Sequence, residues 1–201
     1  MAKAVIFDYG VGNLLSLKCA LEKVGLEASI GTSKVELAKA DAVALPGVGA
    51  FTTAAKKLDE VKETLKSMAE QGTPLLGVCL GLQLFFQQSE EGPGKGLALF
   101  KGRTVRLPNT VKVPHMGWNT LTIVKENELF EGIADDSYVY FVHSLYPVPV
   151  DESIVCTKTE YGTTFTSAVA SKNIYGTQFH PEKSGDLGLR ILKNFAEAVV
   201  R

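Results

Sequence analysis

Cysteine is scarce in this chain: three residues in 201, Cys19, Cys79 and Cys156, with no C-x-x-C pair. An odd number at wide spacing excludes a disulfide framework and a thiolate zinc site. The three histidines, His115, His143 and His180, lack metal-ligand spacing, so neither a metal nor a cofactor is expected. No apolar run approaches the ~20 residues of a membrane span. The start, MAKAVIFDYG, has no long apolar region and no small-residue cleavage site, and a cytoplasmic protein without membrane contact is expected. Excess charge of one sign is absent too, with 21 basic against 22 acidic residues. That balance offers nothing to attract nucleic acid. Internal repeats and low-complexity linkers are missing, and residues 1–201 are expected to form a single domain.

What is present is an alternation of short β-branched runs with helical patterns. KAVIFDY reads as a strand. Residues 13–24 follow, with Leu14, Leu17, Leu21 and Val24 on one helical face and Gly25 as the stop. LEASI is a strand, KVELAKA a short helix, and DAVALPGVG a strand ending in a glycine-rich turn. Residues 51–71 read as one longer amphipathic helix, with Phe51, Ala55, Leu58, Val61, Leu65 and Met68 inward. PLLGVC is apolar on both faces, as a parallel strand covered on both sides must be. This order implies an α/β fold with an open, mostly parallel, mixed sheet flanked by helices. A smaller strand-rich addition follows: GRTVRL, NTLTIV, SYVYFVHSLY, SIVCTKTE, TFTSAVAS and NIYGTQFH. SEEGPGKGLALF reads as a surface loop leading into it, and a helix from about 185 to Val200 closes the chain.

Three motifs carry chemistry. In GVCLG, a strand meets a helix at Cys79 with Gly77 and Gly81 on either side, the pattern of a nucleophile elbow. The turn leaves the thiol at a helix N-terminus and the Leu80 N–H facing a developing oxyanion. Taken alone, the same residues also fit a buried core cysteine. In QFHPEKS, Pro181 biases His180 toward extended backbone. Residues i and i+2 of an extended segment share a side, so His180 and Glu182 pair as base and orienter. Taken alone, H-P-E also fits a surface turn. In LPGVGAF, glycines allow backbone N–H groups to approach a ligand, although a plain strand-to-helix turn fits as well. YGVGN at 9–13 lacks the third glycine of a dinucleotide fingerprint. His115 and His143 have no carboxylate two residues away and are expected to be structural. Cys19 and Cys156 are expected to be inert core residues.

Together, GVCLGLQLF, PGVGAF and QFHPEKS resemble the class I, triad-type glutamine amidotransferases, in the right chain order and over the whole length. FDYGVGNLLSL, VPHMGWN and YFVHSLY are similar to one branch of that family, the glutaminase subunits of imidazole glycerol phosphate synthase. The resemblance implies a flavodoxin-like three-layer fold and a separate (β/α)8-barrel cyclase partner in a heterodimer. It implies a histidine-biosynthetic reaction yielding imidazole glycerol phosphate and aminoimidazole carboxamide ribotide. Carried onto this chain, it makes Cys79 the nucleophile, His180 the acid and base, and Glu182 its orienter. Gly47, Gly49, Gln83, Ser144 and Leu145 fall on glutamine-binding positions; Leu145 stands where a polar or aromatic residue is more usual. Val48 and Leu80 fall at the oxyanion site, and Asn13, Met116, Trp118 and Lys183 face the cyclase. No acceptor-binding domain follows the last helix, which also leads us to expect a separate synthase.

Three other readings compete. The chain could serve another biosynthetic pathway, but a pyridoxal-phosphate-type glutaminase would show a GGES-like loop where PGVG stands. Anthranilate and aminodeoxychorismate types lack the PHMGWN and YFVHS context. A free-standing cysteine hydrolase or peptidase would work without a partner, and a binding module with a relic triad would not need Cys79.

Overall fold

The computed structural model describes residues 1–10 and 12–201; Val11, inside the Tyr9–Asn13 motif, lies outside the described residues. In chain order the first elements are β1 (Lys3–Phe7), α1 (Leu14–Lys23), β2 (Glu27–Gly31), α2 (Lys34–Leu37), β3 (Ala42–Leu45), α3 (Phe51–Leu58), α4 (Lys62–Glu70), β4 (Leu75–Val78) and α5 (Leu80–Leu84). Then come β5 (Gln88–Ser89), β6 (Gly102–Arg106), β7 (His115–Thr120), β8 (Thr122–Ile123), β9 (Tyr138–His143) and β10 (Leu145–Pro149). The chain closes with β11 (Val155–Glu160), β12 (Thr164–Ser171), β13 (Ile174–Thr177) and α6 (Gly185–Val199).

Eight strands form the main sheet in the order β2-β1-β3-β4-β13-β12-β11-β8. Pairings from β2 through β13 are parallel, and those from β13 to β8 are antiparallel. Strand alternation builds two apolar layers. Ala4, Ile6, Ala44, Leu76 and Val78 pack with Leu17 and Leu21 of α1 and Ile191 and Phe195 of α6. Val5, Phe7, Val43, Leu45 and Leu75 turn the other way, onto Phe51, Leu58 and Leu65 of α3 and α4. Both faces of β1, β3 and β4 are therefore covered, the condition under which parallel sheets are stable. NTLTIV in its second half, SIVCTKTE, TFTSAVAS and NIYGTQFH, expected in the strand-rich addition, instead complete the main sheet as β8, β11, β12 and β13, because β13 pairs directly with β4. The addition itself is a three-stranded sheet, β10-β6-β5, and a two-stranded ribbon, β7-β9. Among the described residues no helix is long and apolar enough to cross a membrane.

Four further details differ from the sequence expectations. The 51–71 helix is broken at 59–61, where the Val61 N–H bonds the Leu58 carbonyl. The inward residues step from 58 to 61 to 65, so the apolar rhythm passes through the break unchanged. SYVYFVHSLY is two strands in different sheets, because the Ser144 carbonyl accepts from Leu107 N–H and Leu145 starts pairing with Arg106. NTLTIV likewise divides between β7 and β8, which turn at the buried Leu121. The apolar end of the supposed 89–100 loop is core, with Leu97 and Phe100 buried.

Candidate active site

Cys79 joins β4 to α5 with φ +49° and ψ −99°, a backbone state that costs a non-glycine residue on the order of 1–3 kcal/mol. Glycine permits this elbow on three sides. A Cβ at Gly77 would lie 2.7 Å from the Gly81 carbonyl carbon and the Leu82 nitrogen. One at Gly81 would fall on the Leu45 carbonyl, 2.7 Å from its carbon. One at Gly47 would lie 2.6 Å from the Val78 oxygen, so the 46–49 loop rests directly on the elbow. The helix after Cys79 has only five residues. Its macrodipole is therefore small, and what it offers an anion is local N–H groups.

His180 arrives at the end of the β13 segment with extended backbone, φ −100° and ψ 96°. Its N–H donates to the Tyr140 carbonyl at 2.9 Å, and Ser184 Oγ donates to its carbonyl at 2.7 Å. Glu182 Oε1 lies 2.8 Å from His180 Nδ1, with both side chains buried. The pair forms, but not by i, i+2 alternation. Pro181–Lys183 is a 3₁₀ turn, and it folds the carboxylate back onto the ring. Nε2, on the far side of the ring, has no hydrogen-bond partner among the described residues, nor does Glu182 Oε2. Burial works to lower the His180 pKa. The neighbouring Cys79 sulfur and the Glu182 carboxylate more than offset it and raise the pKa to about 10.

Cys79 opens into a cavity of about 250 Å³, just below the usual range for small-molecule sites. Gly47, Val48, Gly49, Leu80, Gln83, Ser144 and Leu145 line it, as do Glu91, Pro114, Val142 and His143. Gln83 is buried and its Nε2 donates to the Leu145 carbonyl at 3.1 Å. The Ser144 and Leu145 carbonyls are thus engaged within the protein. Among the described residues neither the Val48 nor the Leu80 N–H has a partner. Tyr9, fully buried, donates its hydroxyl hydrogen to the Pro46 carbonyl and braces that loop from below.

On the other side of the loop lies a cleft of about 10 Å³ bordered by Asn13, Pro46, Gly47, Val48, His180, Glu182 and Lys183. Asn13 caps α1 by accepting from Ser16 N–H, and Lys183 Nζ sits 5.9 Å above the Tyr140 ring. Met116 and Trp118 on β7 are 63% and 55% exposed, with Tyr138 of β9 beside them at 62%. They are not core filling in this chain.

Sequence reasoning missed Glu91, the one carboxylate lining the cavity, whose Oε2 accepts from Phe51 N–H at 2.6 Å. Its only signal was an acid inside a presumed loop. Gln178 was also missed; its Nε2 lies 3.4 Å from Cys79 Sγ. Cys19 is a correction: it is exposed, because the buried stripe of α1 runs through Leu17, Ala20 and Leu21. Cys156 is buried, and burial raises its pKa to about 11.

His115 and His143 bond each other, Nδ1 to Nε2 at 3.0 Å. Burial depresses their pKa values to about 4 and about 3. The unfolded chain therefore binds more protons between roughly pH 3 and 6.5. The stability these groups contribute is complete above pH 6.5 and is lost as pH falls through that window. Urea unfolding at pH 4.5 is expected to show a loss on the order of 2–4 kcal/mol relative to pH 7.5. Replacing His143 with glutamine should flatten the slope, and an unchanged slope would contradict the assignment.

The family model for class-I glutamine amidotransferases matches residues 5–199. A protein of Methanothermobacter thermautotrophicus described as imidazole glycerol phosphate synthase subunit HisH is 50% identical over 195 residues, 96% of this chain and 98% of that protein. The protein of the same description from Aquifex aeolicus is 47% identical, covering 96% and 95%. Among solved structures, a putative GMP synthase component from Thermoplasma acidophilum superposes with TM-score 0.78 at 20% identity, covering 100% of this chain and 94% of that one. PurLQS from Thermotoga maritima gives TM-score 0.75 at 19% identity, covering 100% and 98%. The two structural likenesses establish the fold; the sequence matches, which run nearly end to end, establish that the chain belongs to the class-I glutamine amidotransferases, in the branch of the imidazole glycerol phosphate synthase HisH subunits.

Proposed function

We propose that this chain hydrolyses glutamine to glutamate and ammonia through Cys79, His180 and Glu182. We further propose that it hands the ammonia to a separate (β/α)8-barrel cyclase of histidine biosynthesis, in the cytoplasm. The observation that carries the chemistry is the strained elbow holding Cys79 against the cavity, beside a buried His180–Glu182 pair.

The raised pKa of His180 supports an imidazolium–thiolate resting pair. The thiolate attacks the carboxamide carbon, and the oxyanion is received by the Leu80 and Val48 N–H groups. His180 gives its Nε2 proton to the nitrogen, the C–N bond breaks, and ammonia leaves. A γ-glutamyl thioester and a neutral imidazole remain. The same forces then reset the base. Burial is the largest influence on His180, and it lowers the pKa; the sulfur's contribution vanishes once the sulfur is acylated. The imidazole is then free to take a proton from water, whose oxygen forms the new C–O bond as thiolate departs. In the cavity, Glu91 suits the α-ammonium of glutamine, while Gln83, Gly49 and Ser144 bound the substrate.

Ammonia released into neutral water gains a proton and loses its nucleophilic lone pair, so a synthetic use requires direct transfer. The exposed Met116, Trp118 and Tyr138 supply aromatic and thioether surface of the kind that anchors interfaces. Asn13 and Lys183 extend this face to the cleft behind the 46–49 loop. A partner pressing there bears on the loop that carries the Val48 N–H. One oxyanion donor is worth ~3 kcal/mol, so glutamate release should rise about a hundredfold or more when cyclase and its ribonucleotide ligand are both added. Equal rates with and without them would overturn the partner dependence and favour a free-standing hydrolase. Light scattering that shows no heterodimer would remove the partner altogether.

A further inference from the structure

We propose that Gln178 is a hydrogen-bond donor to the nucleophile, its Nε2–H holding the Cys79 sulfur in its ionised form. The inference rests on Cys79 being the nucleophile and adds a second group that touches the reacting atom. Gln178 is fully buried, and its Nε2 lies 3.4 Å from Cys79 Sγ. Its Oε1 lies 3.2 Å from Gln83 Nε2.

An amide can be placed either way round, so the direction of these bonds must be settled by their partners. Here it is. The Leu145 carbonyl can only accept, so Gln83 presents nitrogen to it, at 3.1 Å. The second hydrogen on that nitrogen points to Gln178, which must therefore answer with oxygen. The nitrogen of Gln178 is left facing sulfur, as a donor. The Leu145 carbonyl also receives His143 Nδ1 at 2.8 Å, which places the hydrogen on Nδ1 and leaves Nε2 to accept. His115 Nδ1–H fills that role at 3.0 Å, and Asn119 Nδ2 lies 3.4 Å from the remaining His115 nitrogen. Reversing Gln178 would set its nitrogen against the Gln83 nitrogen and leave a buried Gln83 hydrogen without an acceptor.

A donor aimed at sulfur favours the thiolate over the thiol. The protonated thiol has a poor alternative here, the Val142 carbonyl at 3.7 Å. The titratable groups around the sulfur are His180, with Glu182 behind its ring, Tyr9 beyond β1, and His143 and Glu91, which line the same cavity. Gln178 differs from all of them in carrying no proton equilibrium, so its contribution persists while His180 cycles between acid and base.

The test compares Gln178→Met, which keeps the length and removes the donor, with Gln178→Glu, which keeps the shape and replaces the donor by an acceptor. In the complex with cyclase, Gln178→Met is expected to lower kcat about tenfold with KM for glutamine within about twofold. Iodoacetamide alkylation of Cys79 near neutral pH should slow about fivefold. The thiolate absorbance, read as the difference from the Cys79→Ser protein, should fall with it. Gln178→Glu should lose more than Gln178→Met on every readout. If shape alone mattered, Gln178→Glu would be the milder change, and that order overturns the proposal. So does a folded Gln178→Met protein with unaltered alkylation and absorbance. Alkylation and absorbance report on the sulfur whatever the substrate. Loss of the glutaminase reading would show instead as hydrolysis surviving Cys79→Ser.

Discussion

Replacing Cys79 with serine is expected to cut glutamine hydrolysis by the activated complex about 10⁴-fold or more, the scale on which removing a nucleophile acts in triad enzymes. The change is one atom, and the backbone at φ +49° has no reason to move. What is lost is ionisation. A serine hydroxyl does not form an anion beside His180, and the imidazole loses the negative neighbour that offsets its burial. The variant should fold, bind the cyclase as before and leave synthesis driven by added ammonium salt intact. That last measurement separates loss of the nucleophile from loss of the complex. Hydrolysis that persists in the folded variant would return Cys79 to the status of a core thiol.

Gly81→Ala is expected to cost about 3 kcal/mol of stability, the upper part of the range for overpacking, and to abolish glutamate release. The added methyl would meet the Leu45 carbonyl group, with its carbon at 2.7 Å and the Leu45 Cβ at 2.9 Å. These are backbone and near-backbone atoms of a central strand, so no rotamer change relieves the clash. Either β3 moves, taking the 46–49 loop with it, or α5 moves, taking Cys79. Both displace the groups that would meet the oxyanion. Chemical denaturation reads the first effect and glutamate release the second. An alanine variant of wild-type stability would mean that the elbow is looser than these distances imply.

Much of the fold was legible because its signals are local. The apolar run of PLLGVC foretold a strand covered on both sides and KAVIFDY a strand, and both contribute to the two core layers. The breaks at 59–61 and at Ser144 were not legible. In each case the apolar period runs on while one hydrogen bond redirects the chain, Val61 N–H to the adjacent Leu58 carbonyl and the distant Leu107 N–H to the Ser144 carbonyl. At the site, the sequence carried Cys79 between its glycines and the His180–Glu182 spacing. It misjudged how that spacing works: the pair is made by a 3₁₀ turn, not by strand alternation. Cys19 shows the same limit on a helix, where a mid-helix position said nothing about which face met water.

The sequence by itself determined most of the order of strands and helices through local pattern, and its motifs carried the resemblance to the family; Cys79, His180 and Glu182 are the residues it proposes for the chemistry. Only the tertiary structure decided what those residues touch. The Cys79–Gln178 contact spans 99 positions and the Gln83–Leu145 contact 62. It also decided that Met116 and Trp118 face outward and that Glu91 lines the cavity. Which donor faces which acceptor across such distances is a property of packing, and no periodicity along the chain encodes it.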